Sequence, residues 1–163
     1  MSIKAAVLTV SDKGARGERV DTAGPAVVAL LGQVGAEVVK TAVIPDERDQ
    51  IAAQLRRWAD EGQIGLIVTT GGTGFASRDV TPEATLDVVD RLAAGIAELM
   101  RDEGRKSTPL AALSRAVAGL RGNTLIINLP GSERGARESL TPVLPLLSHA
   151  EAMLAGPVEE HPV

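Results

Sequence analysis

Along the chain, short unbroken apolar runs alternate with longer segments of helical spacing. Residues 3–11 (IKAAVLTVS) are continuous, brief and rich in valine, the pattern of a strand buried on both faces. Residues 12–21 (DKGARGERVD) are polar and glycine-punctuated and read as a loop. Asp21 or Thr22 then caps a helix through TAGPAVVALLGQVG, with Gly35 as its stop. Residues 36–44 (AEVVKTAVI) form a second strand, which Pro45 ends. Asp46 follows as the N-cap of another helix, with Asp49 in the capping-box place and Gly62 just past the end. A third strand occupies residues 64–70 (IGLIVTT). Thr81 with Pro82 marks a further helix start, because proline suits the first helical position, and helical spacing continues over residues 83–104.

The downstream pattern differs. Residues 115–129 (RAVAGLRGNTLIINL) hold two short apolar runs on either side of RGN, which predicts a hairpin. Residues 130–154 read as a capped helical region broken around Pro142 and Pro145. Strands alternating with helices of this length imply an α/β fold: a three-layer αβα single domain with a mostly parallel sheet and a short β-hairpin. The domain is placed at residues 1–155 and a tail at 156–163. Trp58, on the second helix, is read as a core residue.

Composition narrows the functional classes. A chain of 163 residues suits one domain with a single core. With no cysteine there is no disulfide frame, zinc–thiolate site, iron–sulfur cluster or thiol nucleophile. The N-terminal apolar run is too short for a signal peptide, and no run approaches a membrane span, so a soluble cytoplasmic protein without a membrane partner is expected. A net charge of −4 and a pI near 5.2 argue against a nucleic-acid partner, which would call for a basic face. One phenylalanine, one tryptophan and no tyrosine leave no platform for stacking bases. His149 and His161 read as surface residues, not metal ligands.

In an open α/β sheet, ligands bind beyond the carboxyl ends of the strands. Here those ends carry Ser11 and Asp12, then Asp46, then residues 71–79, and finally Asn128, Pro130, Gly131 and Ser132. The loop holding Gly71, Gly72, Thr73 and Gly74 can turn successive amides toward an anion. It is neither a Walker A loop nor a dinucleotide fingerprint, and a tight turn needing positive φ explains the same glycines. Asp46 is open to reading as an N-cap alone, and Asp79 as a turn residue. Placed beside a phosphate seat, however, the two carboxylates would require a hard cation, and Mg²⁺ suits one or two carboxylates plus phosphate oxygens. Arg78 reads either as a bidentate phosphate contact or as a solvated side chain. Ser114 and Ser132 are candidate donors to a polar ligand, Ser132 equally a helix N-cap. Residues 16–20 are assigned nothing.

Several segments taken together resemble a known family. LTVSD, Asp21 with Gly24, IPDE, TTGGTGFASRDVTPEAT and ALSRAVAGLRGNTLIINLPGS occur in the order found in the molybdopterin adenylyltransferases of molybdenum-cofactor biosynthesis. That family includes MogA, MoaB and the G domains of gephyrin and its plant counterparts. The resemblance implies adenylyl transfer from MgATP to the terminal phosphate of molybdopterin, with release of pyrophosphate. By the same resemblance, Asp46 and Asp79 are the functional and metal-holding aspartates. Ser114 and Asn128 lie on the pterin side, with Thr73 and Ser77 bordering the loop. A homotrimer, sometimes a hexamer, is implied, with other cofactor-synthesis proteins as partners. The scarcity of aromatics suggests a pterin held by hydrogen bonds, not stacked on Phe75. The rival readings are a non-catalytic, MoaB-type molybdopterin carrier and a different nucleotide-dependent enzyme using the same anion seat.

Overall fold

The computed structural model describes residues 2–156, and the tail expected at 156–163, with His161, lies outside these apart from Gly156. Six strands are present among the described residues: β1 (Lys4–Val10), β2 (Glu37–Ile44), β3 (Leu66–Thr70), β4 (Arg91–Leu92), β5 (Ala118–Arg121) and β6 (Thr124–Leu129). The helices are α1 (Asp12–Ala15), α2 (Ala23–Gln33), α3 (Arg48–Asp60), α4 (Thr81–Leu86), α5 (Ala94–Arg105), α6 (Glu133–Leu140) and α7 (Leu147–Ala155). Two 3₁₀ turns, Pro109–Leu113 and Leu144–Leu146, complete the chain. No described helix is long and apolar enough to cross a membrane.

The sheet has the order β2-β1-β3-β6-β5-β4. β2, β1, β3 and β6 run parallel, whereas β5 is antiparallel to both β6 and β4. Alternation along the central strands divides the core in two. Ala5, Val7, Val68, Ile127 and Leu129 belong to one cluster, with Val27 and Leu31 of α2, Met100 of α5 and Leu140 of α6. Ala6, Leu8, Val10, Ile67 and Ile126 belong to the other, with Ile51, Leu55 and Trp58 of α3. This is the expected three-layer αβα architecture, and the β5–β6 hairpin turns at Gly122 and Asn123 as the RGN signal predicts. The break after α6 likewise falls at Pro142 and Pro145.

Four expectations need correction. Residues 12–15 are not loop but a single helical turn, because Ser11 Oγ accepts from Gly14 N at 2.9 Å and caps it. Asp46 is not the N-cap of α3. That position is Glu47, no side chain caps it, and the capping box with Asp49 does not form. α4 starts with Thr81 itself and puts Pro82 second, one residue away from the expected frame. Finally, helical spacing over 83–104 does not give one helix. The chain leaves α4 after Leu86, buries Val88, and is caught by the hairpin: Asp90 N donates to Leu120 O at 2.7 Å and Ala93 N to Ala118 O at 2.8 Å. Backbone pairing with a neighbouring strand outweighs a local helical pattern there. For α2, Asp21 is the residue that caps: its Oδ1 accepts from Gly24 N at 3.0 Å, whereas Thr22 makes no such bond.

Truncating a fully buried side chain tests this core. We expect Leu8→Ala to lower stability by about 3 kcal/mol in urea unfolding, and Val20→Ala, at a position 82% exposed, to leave it unchanged.

Candidate active site

The four parallel strands end level with one another. Val10 of β1 is in register with Ile44 of β2, Thr9 with Thr70 of β3, and Thr70 with Leu129 of β6. The connections leaving them therefore gather along one rim. The sharpest is the glycine loop after β3, where Gly71 has φ +96° and Gly72 φ +68°. Those angles alone favour glycine. Space demands it as well, since a β-carbon on Gly71 would collide with the Val10 carbonyl and one on Gly72 with Thr81 Oγ1. The reading of these glycines as a tight turn is met directly: the turn needs them, and they let the main chain press close to Val10 and Thr81.

The polarity of this loop is one-sided. The carbonyls of Gly72, Thr73 and Gly74 are all occupied by protein donors: Thr81 N at 3.1 Å, Arg115 N at 2.8 Å and Arg115 Nε at 2.8 Å, respectively. The N–H groups of the same three residues have no acceptor among the described residues. Thr81 Oγ1, fully buried beneath Gly72, is also without a partner. An unpaired buried hydroxyl such as that of Thr81 carries a penalty that a partner would relieve, and the unpaired amides of the half-buried loop are donors open to an acceptor such as a phosphate oxygen.

On one side of the loop lies a polar cleft of about 360 Å³ lined by Ser11, Asp46, Gly71, Gly72, Asp79 and Gly131, together with Arg19 and Asp21. Asp46 is held in a reciprocal clasp: its Oδ2 accepts from Asp12 N at 2.9 Å, while Asp46 N donates to Asp12 Oδ1 at 3.0 Å. Its other oxygen, Oδ1, lies 3.1 Å from where a β-carbon on Gly72 would stand. Burial pushes the Asp46 carboxyl above its ordinary range, and the charges of Asp12 and Asp79 add to that rise. Asp79 folds its own loop by accepting at Oδ2 from Ala76 N at 3.0 Å. Arg78 is exposed to solvent, as one of its two readings has it, and does not line the cleft. It grips both oxygens of Asp12 at 2.9 and 3.0 Å and Glu47 at 2.9 Å, which holds the Asp12 carboxyl below the usual range.

On the other side of the same loop is a more apolar pocket of about 290 Å³, bordered by Thr73, Gly74, Ser114, Asn128 and Pro130, and floored by Ala97, Met100 and Leu110. Ser132 touches both spaces, and its Oγ caps α6 by accepting from Gly135 N at 3.0 Å. Asn128 is fully buried. Its amide nitrogen donates to the hydroxyls of Thr69 (3.1 Å) and Thr85 (2.9 Å), and its carbonyl accepts from Val117 N (3.2 Å). It shapes the pocket wall with its polar atoms turned into the protein. Ser114 Oγ accepts from Ala116 N at 3.2 Å.

The structure thus gathers most of the predicted residues around the glycine loop, in two compartments. Asp12, Ser77 and the exposed Phe75 border neither; Asp12 acts through Asp46 and Arg78. Sequence reasoning passed over Arg115, although LSRAV was singled out. Besides its two loop carbonyls, Arg115 donates to Asp79 O at 2.7 Å and pairs with Glu83. One side chain therefore fixes the glycine loop relative to the Asp79 turn. Arg19 was assigned nothing, and Asp21, named as a helix cap and in the family resemblance, was not placed in the site; both line the polar cleft.

The donor set fits a magnesium ion. Among the described residues no group of three or more His, Asp or Glu side chains is arranged to cage a metal. The cleft instead offers two carboxylates, one of them strained by burial and by like charge. Mg²⁺ takes one or two carboxylates and fills its octahedron from water and phosphate.

An α/β domain with a glycine loop of unpaired amides, two carboxylates lining one cleft and a second pocket beside it is a small-ligand domain, with its binding rim at the strand ends. Residues 6–149 match the family described as "Probable molybdopterin binding domain", and the chain belongs to that family. It is 40% identical over 157 residues to a molybdopterin adenylyltransferase of Helicobacter pylori, covering 95% of this chain and 89% of that protein. It is 42% identical over 158 residues to the molybdenum cofactor synthesis protein cinnamon of Drosophila melanogaster, covering 96% of this chain but only 26% of that protein. Among solved structures, that of the molybdopterin biosynthesis enzyme MoaB of Thermus thermophilus matches with a TM-score of 0.90 and 54% identity, covering 95% and 98% of the two chains.

The raised Asp46 carboxyl has a consequence for stability. Above its folded-state pKa the ionised group opposes folding, and that penalty disappears as pH falls below the ordinary carboxylate range. We expect Asp46→Asn, which keeps an acceptor for Asp12 N, to raise Tm at pH 7. The gain should be on the order of 1–3 °C, since the group is only partly buried, and should vanish near pH 3 in calorimetric scans.

Proposed function

We propose that this protein catalyses adenylyl transfer from MgATP to the terminal phosphate of molybdopterin in molybdenum-cofactor biosynthesis. The observation that carries the reading is the run of three acceptor-less amides at Gly72, Thr73 and Gly74, flanked by Asp46 and Asp79. Relatives named molybdopterin adenylyltransferase, matched over 95% of this chain and 89% of their own length, supply the substrate class.

The reaction joins two anions. A phosphate oxygen of molybdopterin attacks the α-phosphorus of ATP, the bond to the bridging β-oxygen breaks, and pyrophosphate leaves with the electron pair. No protein nucleophile is needed, so the absence of cysteine is no obstacle. The protein's share is alignment and neutralisation of charge. The polar cleft takes the polyphosphate and the more apolar pocket takes the pterin, with Ser114 and Thr73 at its polar border. The amides of the loop grip phosphate between them. Asp46 and Asp79 hold Mg²⁺, directly or through water, and the ion when bound offsets charge at the α-phosphate and on the leaving pyrophosphate. Arg115 and Asp12 are positioning residues that hold the loop, Asp79 and Asp46 in place. A homotrimer, or a hexamer built from trimers, belongs to the same proposal and is read by sedimentation.

The test is release of pyrophosphate by purified protein with molybdopterin and MgATP. Release should depend on both substrates. Asp46→Asn and Asp79→Asn should each lower kcat by about 100-fold while calorimetry still shows pterin binding. A wild-type rate in either variant removes that residue from the metal assignment. Pterin binding without any pyrophosphate release by the wild type would mark a carrier instead.

A further inference from the structure

The polar cleft has an excess of negative charge for a site that is to receive a polyphosphate. Asp21, Asp46 and Asp79 line it, and Arg19 is the only cation that does so among the described residues. The other nearby arginines are occupied. Arg78 is bound to Asp12 and Glu47, and Arg115 to loop carbonyls, Asp79 O and Glu83. Arg19 has no hydrogen-bond or ion-pair partner among the described residues. Its sequence neighbour Glu18, the obvious local partner, is taken in a bidentate pair by Arg16, with both distances 3.1 Å. Asp21 is taken as well, accepting from Thr9 Oγ1 at 2.7 Å and from Gly24 N at 3.0 Å. The loop thus pairs both of its acids nearest Arg19 in sequence with other groups and leaves Arg19, which lines the cleft, without a partner.

From this arrangement we infer that Arg19 is the polyphosphate-binding cation of the cleft. The inference rests on the adenylyl-transfer reading above and assigns a residue to its nucleotide side. A planar guanidinium suits paired phosphate oxygens, and an exposed side chain lining the cleft can take hold of the β- and γ-phosphates and let go of them as pyrophosphate. Because it lines the cleft and not the pterin pocket, Arg19 discriminates in favour of the nucleotide substrate and has no part in holding the pterin.

The experiment titrates magnesium pyrophosphate, and separately MgATP, into the wild type and into Arg19→Ala, Arg19→Lys and Arg19→Glu by calorimetry. Loss of one charge-assisted contact should weaken pyrophosphate binding by roughly tenfold in Arg19→Ala. The weakening should be larger in Arg19→Glu and partly restored in Arg19→Lys. Added salt should weaken binding less steeply in Arg19→Ala than in the wild type. KM for ATP should rise while KM for molybdopterin stays the same. Tm should not move in any variant, because the side chain has no partner to lose. Equal pyrophosphate affinities in wild type, Arg19→Ala and Arg19→Glu would overturn the inference and leave the adenylyl-transfer reading standing. A wild type that binds neither pyrophosphate nor ATP would overturn both.

Discussion

Four parallel strands that stop at the same level set every other feature of this molecule. Because β2, β1, β3 and β6 are in register to their last residues, the turns that leave them have nowhere to go but along one edge of the sheet. The register itself follows from burial: β1, β3 and β6 are covered on both faces, so a slip by one residue would exchange their two cores. The hydrophobic effect, acting on residues remote from any ligand, is what delivers Ser11, Asp46, the glycine loop and Gly131 to a common place.

Once there, these polar groups are organised largely by arginine. Arg78 neutralises Asp12, which in turn clasps Asp46 through the main chain. Arg115 reaches the other half of the site and draws loop carbonyls toward itself. The effect on the loop is electrical as well as mechanical. With its carbonyls engaged by Thr81 and Arg115, what the loop leaves unpaired is N–H, so backbone donors stand beside the acids of the cleft.

The fold was legible because its strands are local statements: IKAAVLTVS, IGLIVTT and TLIIN are apolar without interruption, and RGN between two such runs can do little except turn. The site's backbone was legible for the same reason, as three glycines in four positions cannot be overlooked. What sequence could not supply were the long-range partners. Asp46 read as a helix cap because the rule for caps is local, whereas its partner, Asp12, is 34 residues away. β4 was hidden inside a helical pattern because its two residues become a strand only when β5 lies alongside. The floor of the second pocket was invisible because Ala97 and Met100 look like ordinary helix residues until the turn at Pro109–Leu113 brings Leu110 over α5. Arg115 carried no signal beyond its place in a familiar segment.

The divider between the two compartments is a single thickness of main chain. Gly71 and Gly72 face one space while Thr73 and Gly74 face the other, and the peptide planes joining them are among the least deformable units in a protein. The loop is therefore a partition one main chain thick, held in place by the bonds from Arg115 to the carbonyls of Thr73 and Gly74. Anything bound in one space would stand a backbone's width from anything bound in the other, because the same few peptide groups border both.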